Sequence, residues 1–247
     1  MVRTIPSQGQ IIYPASETNL DEVLQMGCYS PVICTGLDGE NADLTARLLS
    51  DDGSHFEVVQ NGNTVGTVAW QMTGKHSVMN ALSVLGACLH IGVEVTVACQ
   101  ALSEFKGVKR RMELIGAVGG VEVYDDFAHH PTAIATTLDG VRKKIGKRKI
   151  WAIIEPRSNT MKLGVYQSQL APSASLADSV IWYEPVGLDW SVKNAIGNAN
   201  GQSVMNEIDE IVAHIASHAK ADDVVIVMSN GGFGGIHTKI VNALKER

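Results

Sequence analysis

The 247-residue sequence has only four cysteines, Cys28, Cys34, Cys88 and Cys99, and no two of them form a C-x-x-C pair. That spacing does not support a zinc or redox motif and fits buried thiols in a reducing compartment. No run of about 18 apolar residues is present, so no membrane-spanning helix is expected. The N-terminus lacks the basic-then-apolar layout of a secretory signal, and a cytoplasmic location is the expectation. Excess positive charge is missing too. The net charge is −6, which argues against a general binder of nucleic acid or of membrane surfaces. Neither repeats nor low-complexity tracts occur, and 45% hydrophobic with 19% charged residues describes a folded chain.

The charge that is present is uneven. Up to Lys106 there are 11 acidic and 4 basic residues, and from Gly107 onward 15 acidic and 16 basic. Cations gather at Lys106–Arg111 and at Arg142–Lys149. Each cluster is either a solvated face or a site for an anionic ligand.

Apolar periodicity divides the chain near residue 107. Before it, "GQIIYP" (9–14) and "PVICTG" (31–36) flank a helical pattern, "TNLDEVLQMG". The runs "LTARLLS", "HFEVVQ" and "TVGTVAWQ" follow, separated by "DDGS" and "NGN", and predict an antiparallel meander. A long helix begins at about Lys75, with Val78, Leu82, Leu85 and Leu89 in one stripe, and a shorter one spans about Glu94 to Phe105. Beyond 107, the strand-like runs "VEVYDDF", "KIWAIIEP", "DSVIWYEP" and "DVVIVMSN" alternate with amphipathic helices. These helices start at Pro131, near Asn206 and near Gly235. That alternation predicts a Rossmann-like, mostly parallel, doubly wound α/β domain.

In open α/β sheets, ligands bind beyond the C-terminal ends of the strands. Three polar stretches fall there: "DDFAHHP", "EPRSNTMKLG" and "SNGGFGG". In the first, Pro131 suits the opening turn of a helix, so Asp126, His129 and His130 are delivered to a helix N-terminus that favours anions. The Asp/His density invites a metal reading, but adjacent histidines diverge and no H-x-x-x-H spacing supports chelation. Capping and a nucleotide or substrate loop stay open. Arg157 and Lys162 of the second stretch suit a carboxylate or phosphate, or are simply solvated. The third is glycine-rich yet fails G-x-G-x-x-G, since His237 stands where the last glycine belongs. "TGKHS" (73–77) likewise fails the phosphate-loop pattern, with Ala69 at the first glycine position and His76 after the lysine.

Taken together, "GKHSVMNALSVLGAC" (74–88), "GVKRRMELIG" (107–116), "VYDDFAHHPTAI" (123–134), "EPRSNTMKLG" (155–164) and "MSNGGFGGIH" (228–237) resemble the Mur ligases. These are ATP-dependent amide-forming enzymes of peptidoglycan assembly with three domains. The resemblance implies that residues 1–106 are the C-terminal part of the central ATPase domain, without its P-loop, and that 107–247 are the C-terminal Rossmann-like domain. It implies ATP and Mg2+ as cofactors, with the metal ligands mainly upstream of this sequence. His76 and Asn80 would lie near the ATP, together with Arg111 and Asp126. His129 and His130 would stand between ATP and the amino substrate, making them and Arg111 the catalytic candidates. Arg157, Ser158, Asn159 and Lys162, with Ser229 and Asn230, would hold the incoming peptide.

Within the family, the second loop is similar to that of the members acting in peptidoglycan recycling. The implied reaction joins the murein tripeptide L-Ala-γ-D-Glu-meso-diaminopimelate to UDP-N-acetylmuramate through an acyl phosphate. Addition of L-alanine, or a non-catalytic Rossmann-type binding module, are the alternatives. By the same reading the isolated chain is inactive. An uncovered edge of the incomplete central domain would promote self-association.

Overall fold

The computed structural model describes residues 2–157, 163–185 and 187–247. The chain forms two compact units, residues 1–106 and 107–247.

In the first unit, five strands form one sheet in the order β1-β2-β3-β4-β5. They are β1 (Ile11–Pro14), β2 (Val32–Leu37), β3 (Leu44–Leu48), β4 (His55–Gln60) and β5 (Asn63–Ala69). The last three form the expected antiparallel meander, whereas β1, β2 and β3 run parallel, which makes the sheet mixed. The short helix α1 (Thr18–Gln25) serves as the crossover that lets β2 run parallel to β1. Helices α2 (Lys75–His90) and α3 (Val95–Glu104) complete the unit.

Val78, Leu82 and Leu85 of α2 pack on Leu44, Ala46, Phe56, Val58 and Val68 of the sheet. These positions alternate along β4, as a half-buried strand requires. Trp70 meets Phe56 edge-on at 5.6 Å and donates its indole N–H to the Gly53 carbonyl at 3.0 Å. Gly53 itself adopts φ 77°, and a Cβ there would lie 3.2 Å from the Gly74 carbonyl oxygen, so the turn entering α2 admits no larger residue without strain.

The second unit is built on a six-stranded sheet ordered β10-β9-β8-β11-β7-β6. Its strands are β6 (Glu113–Val118), β7 (Val121–Asp126), β8 (Ile150–Ile154), β9 (Ser179–Tyr183), β10 (Gln202–Met205) and β11 (Val224–Met228). All neighbours are parallel except β6, which returns antiparallel on β7. Every residue of β8 and β11 is buried. Each fully buried isoleucine contributes about 1.5–3 kcal/mol, which places the energetic centre of the unit in these two strands.

One face of the sheet is covered by α4 (Pro131–Ile145), α5 (Gln167–Ser173) and α6 (Val192–Ile196). The other carries α7 (Ile208–His218) and α8 (Ile236–Lys245). The doubly wound α/β arrangement expected from the alternating pattern is therefore present. Strand β11 inserts between β7 and β8, and its exit leads to α8 on the face opposite α4 and α5. The topological switch point thus lies at the C-terminal ends of β7, β11 and β8. No helix among the described residues is long and apolar enough to cross a membrane.

Candidate active site

The three polar stretches leave the C-terminal ends of three adjacent parallel strands, and hydrogen bonds stitch them together. Asp126 ends β7 and is 2% exposed. One carboxylate oxygen accepts from the Met112 N–H at 2.9 Å, the other from the Ala128 N–H at 2.8 Å. Through these bonds the residue organises the loop. The Asp126 carbonyl accepts from the Ser229 N–H at 3.1 Å, joining the loops after β7 and β11.

The adjacent histidines divide the work. His130 is the N-cap of α4, and its Nδ1 accepts from the Thr132 N–H at 3.4 Å. His129 Nδ1 stands 2.8 Å from the Phe127 carbonyl oxygen. A carbonyl only accepts, so neutral His129 carries its proton on Nδ1 and has a lone pair at Nε2. Neutral His130 must be the opposite tautomer, with Nε2–H as a donor. His130 also meets Tyr166 edge-on at 4.4 Å, which holds the ring from a second side.

At the end of β8, Glu155 is a buried carboxylate, 5% exposed. The hydroxyl of Ser229, fully buried at the end of β11, donates to its Oε2. Its Oε1 is 3.9 Å from Arg157 Nη1, and Arg157 is half exposed. The Arg157 side chain lies against Gly231, where a Cβ would come within 2.4 Å of Nη1. Glycine at 231 thus provides the space for this arginine. Glu155 and Arg157 open into a cavity of ≈ 360 Å³ walled by Tyr183, Leu188, Ile208 and Phe233. Asn230 has its side-chain oxygen buried without a hydrogen bond among the described residues. Ser158, Asn159 and Lys162 lie outside the described residues.

The sequence pointed to Arg111, which is exposed with its guanidinium 5.6 Å from the Phe127 ring centre. Its neighbour Arg110 was missed, yet it is the residue tied into the rim. It donates to Asp125 at 3.2 Å and to the carbonyls of Ser229 at 2.5 Å and Gly231 at 2.8 Å. Only tertiary structure separates two consecutive arginines in this way. Glu155 and His237 also went unassigned, Glu155 because it reads as the end of a strand.

The second basic cluster is consumed within the fold. Arg142 bonds Asp178 at 2.5 Å and the Arg148 carbonyl at 2.7 Å, Lys143 pairs with Asp139, Arg148 bonds the Asp222 carbonyl, and Lys149 lies 3.7 Å over Trp151. Burial opposes ionisation of Asp178, but the Ile150 N–H and the Arg142 guanidinium outweigh it and hold the carboxyl below its usual range.

In the first unit, His76 and Asn80 are exposed one turn apart at the start of α2. Ser77 between them is buried, and its hydroxyl donates to the Thr73 carbonyl at 2.8 Å. Among the described residues, no three His, Cys, Asp or Glu side chains converge as a metal-ligand set.

The family profile described as "Mur ligase, glutamate ligase domain" matches residues 110–231, which span this rim. The chain is 42% identical, over 99% of its length, to the UDP-N-acetylmuramate–L-alanyl-gamma-D-glutamyl-meso-2,6-diaminoheptandioate ligase of Haemophilus influenzae. Residues 110–231 are a Mur ligase domain. A crystal structure of a murein peptide ligase from Psychrobacter arcticus is 51% identical and superposes with a TM-score of 0.75, covering 100% of this chain and 53% of that one. A UDP-N-acetylmuramate–L-alanine ligase of Desulfitobacterium hafniense is more distant, at 33% identity over 82% of this chain. The chain spans about half the length of the curated relatives it matches, 54% and 47% respectively. Against this Mur ligase background, Asp126, His129, Arg157 and Ser229 come from all three loops of one rim in the second unit. His76 and Asn80 belong to the first.

Proposed function

We propose that this chain is part of an ATP-dependent ligase that joins L-Ala-γ-D-Glu-meso-diaminopimelate to UDP-N-acetylmuramate through an acyl phosphate. The observation that carries the proposal is the 42% identity, along nearly the whole chain, to the Haemophilus influenzae ligase named for that peptide. In this reading residues 1–106 are the latter part of the ATP-binding domain, where His76 and Asn80 border the nucleotide. Residues 107–247 are the domain that receives the peptide.

The chemistry asks this chain mainly to bind and orient anions and to manage one proton. Arg157, at the mouth of the ≈ 360 Å³ cavity, anchors a peptide carboxylate, and Ser229 and Asn230 line the adjoining loop. The peptide's amine attacks the acyl carbon, phosphate departs, and the ammonium proton must leave. His129 suits its uptake, because the Phe127 carbonyl commits Nδ1 and leaves the Nε2 lone pair available. His130 offers a donor from Nε2 while it caps α4. Arg111, exposed beside Phe127, is the cation assigned to the nucleotide side. ATP enters as co-substrate. Mg2+ would neutralise its phosphates, and the described residues give the ion no ligand set of their own.

The test is substrate choice by a complete ligase containing this chain. ADP release with UDP-N-acetylmuramate should require the tripeptide and fail with L-alanine. Release with L-alanine alone would overturn the assignment.

A further inference from the structure

Three buried side-chain atoms among the described residues have no hydrogen bond, and two of them face each other: Asp125 Oδ1 and His237 Nε2, 3.0 Å apart. They are close enough to pair but lack hydrogen-bond alignment. The other Asp125 oxygen is taken by Arg110 at 3.2 Å. Buried polar atoms are nearly always satisfied, so an unaligned acid and imidazole in contact mark an interaction held in reserve.

Arg110 is itself unusual. It adopts φ 61° and Met112 φ 49°, so two non-glycine residues in three occupy the left-handed region. Surrounding bonds hold this strain in place. The Arg110 N–H donates to Glu113 at 2.8 Å, the Arg110 carbonyl accepts from the Phe127 N–H at 2.8 Å, and the Met112 N–H donates to Asp126. The Arg110 guanidinium then reaches the carbonyls of Ser229 and Gly231. Segment 110–112 begins just past the boundary between the two units.

We infer that Arg110 is a positioning residue that couples this strained segment to the glycine-rich loop 229–235, and that Asp125 exchanges Arg110 for His237 when the segment moves. With Arg110 in place, the loop is fixed through two carbonyls and Ser229 is held against Glu155. With Arg110 withdrawn, Asp125 would be a buried carboxylate without its cation, and the His237 ring N–H is the nearest donor. The clamp is independent of which peptide the site takes.

Hydrogen exchange by NMR on the 247-residue chain tests this. The loop amides of Ser229, Gly231 and Gly235 are all hydrogen-bonded. Arg110→Met should speed their exchange on the order of tenfold, since charge-assisted bonds are lost, while amides of Ile153 and Val227 stay unchanged. The same variant should bring up a slowly exchanging downfield imidazole N–H from His237, absent in the parent. Arg110→Lys keeps the charge near Asp125 without the fork, so its loop exchange should be intermediate. If the methionine variant does not fold, the lysine variant carries the test. Unchanged loop exchange, acceleration spread equally through β8 and β11, or no new imidazole resonance would overturn the inference.

Discussion

Glu155 and Ser229 are joined across neighbouring parallel strands, the hydroxyl at the end of β11 donating to the carboxylate at the end of β8. This bond fixes the floor of the rim from which Arg157 projects. Ser229→Ala should destabilise the second unit by about 1–3 kcal/mol, because it leaves a buried carboxylate short of a donor. Glu155→Gln with Ser229→Ala should cost less than the two single changes added together. Denaturant titrations of the four proteins check this; strict additivity would deny the coupling.

The two histidines are separable. His130→Ala removes the cap of α4 and should cost about 1 kcal/mol, and His130→Ser should restore most of it. His129→Ala should leave the helix intact and act on turnover. Thermal melts alongside turnover of the complete ligase distinguish the pair. Equal stability losses would refute the division of roles.

Gly231→Ala places a methyl group against the Arg157 guanidinium, which is half exposed and free to swing away. Stability should change by less than about 1 kcal/mol. The tripeptide KM should nevertheless rise, because the arginine is displaced from the cavity mouth.

Acid should weaken the second unit through His214. Burial, reinforced by nearby His218 and Lys149, pushes its pKa below the usual histidine value. A histidine depressed in the folded state binds its proton more readily when unfolded. Its contribution is therefore complete above pH about 6.5 and is lost as pH falls from there through the lower folded value. Denaturation midpoints of the parent should fall from pH 7.5 to 5.5, and His214→Leu should flatten that component of the slope. The same slope in both proteins would contradict the assignment.

Long periodic elements were legible in the sequence: the α4 stripe of Ile134, Leu138 and Val141 is buried, as are the runs 150–154 and 224–228. Elements too short for a period to show were missed. β10 has four residues and α6 five, while β6 is largely exposed and carries a register shift at Leu114/Gly116. Shared placement of the three loops followed from strand polarity alone. Side-chain duties did not, because burial of Asp126, capping by His130 and the choice of Arg110 over Arg111 depend on contacts between residues far apart in the chain.

In the proposed ligase, the rim formed by the loops after β7, β8 and β11 receives the peptide, with Arg157 as its anchor. The most direct measurement is the tripeptide dependence of ADP release by the complete ligase, parent against Arg157→Ala. The tripeptide KM should rise roughly tenfold or more, with the ATP KM within about twofold of the parent. An unchanged tripeptide KM would contradict it.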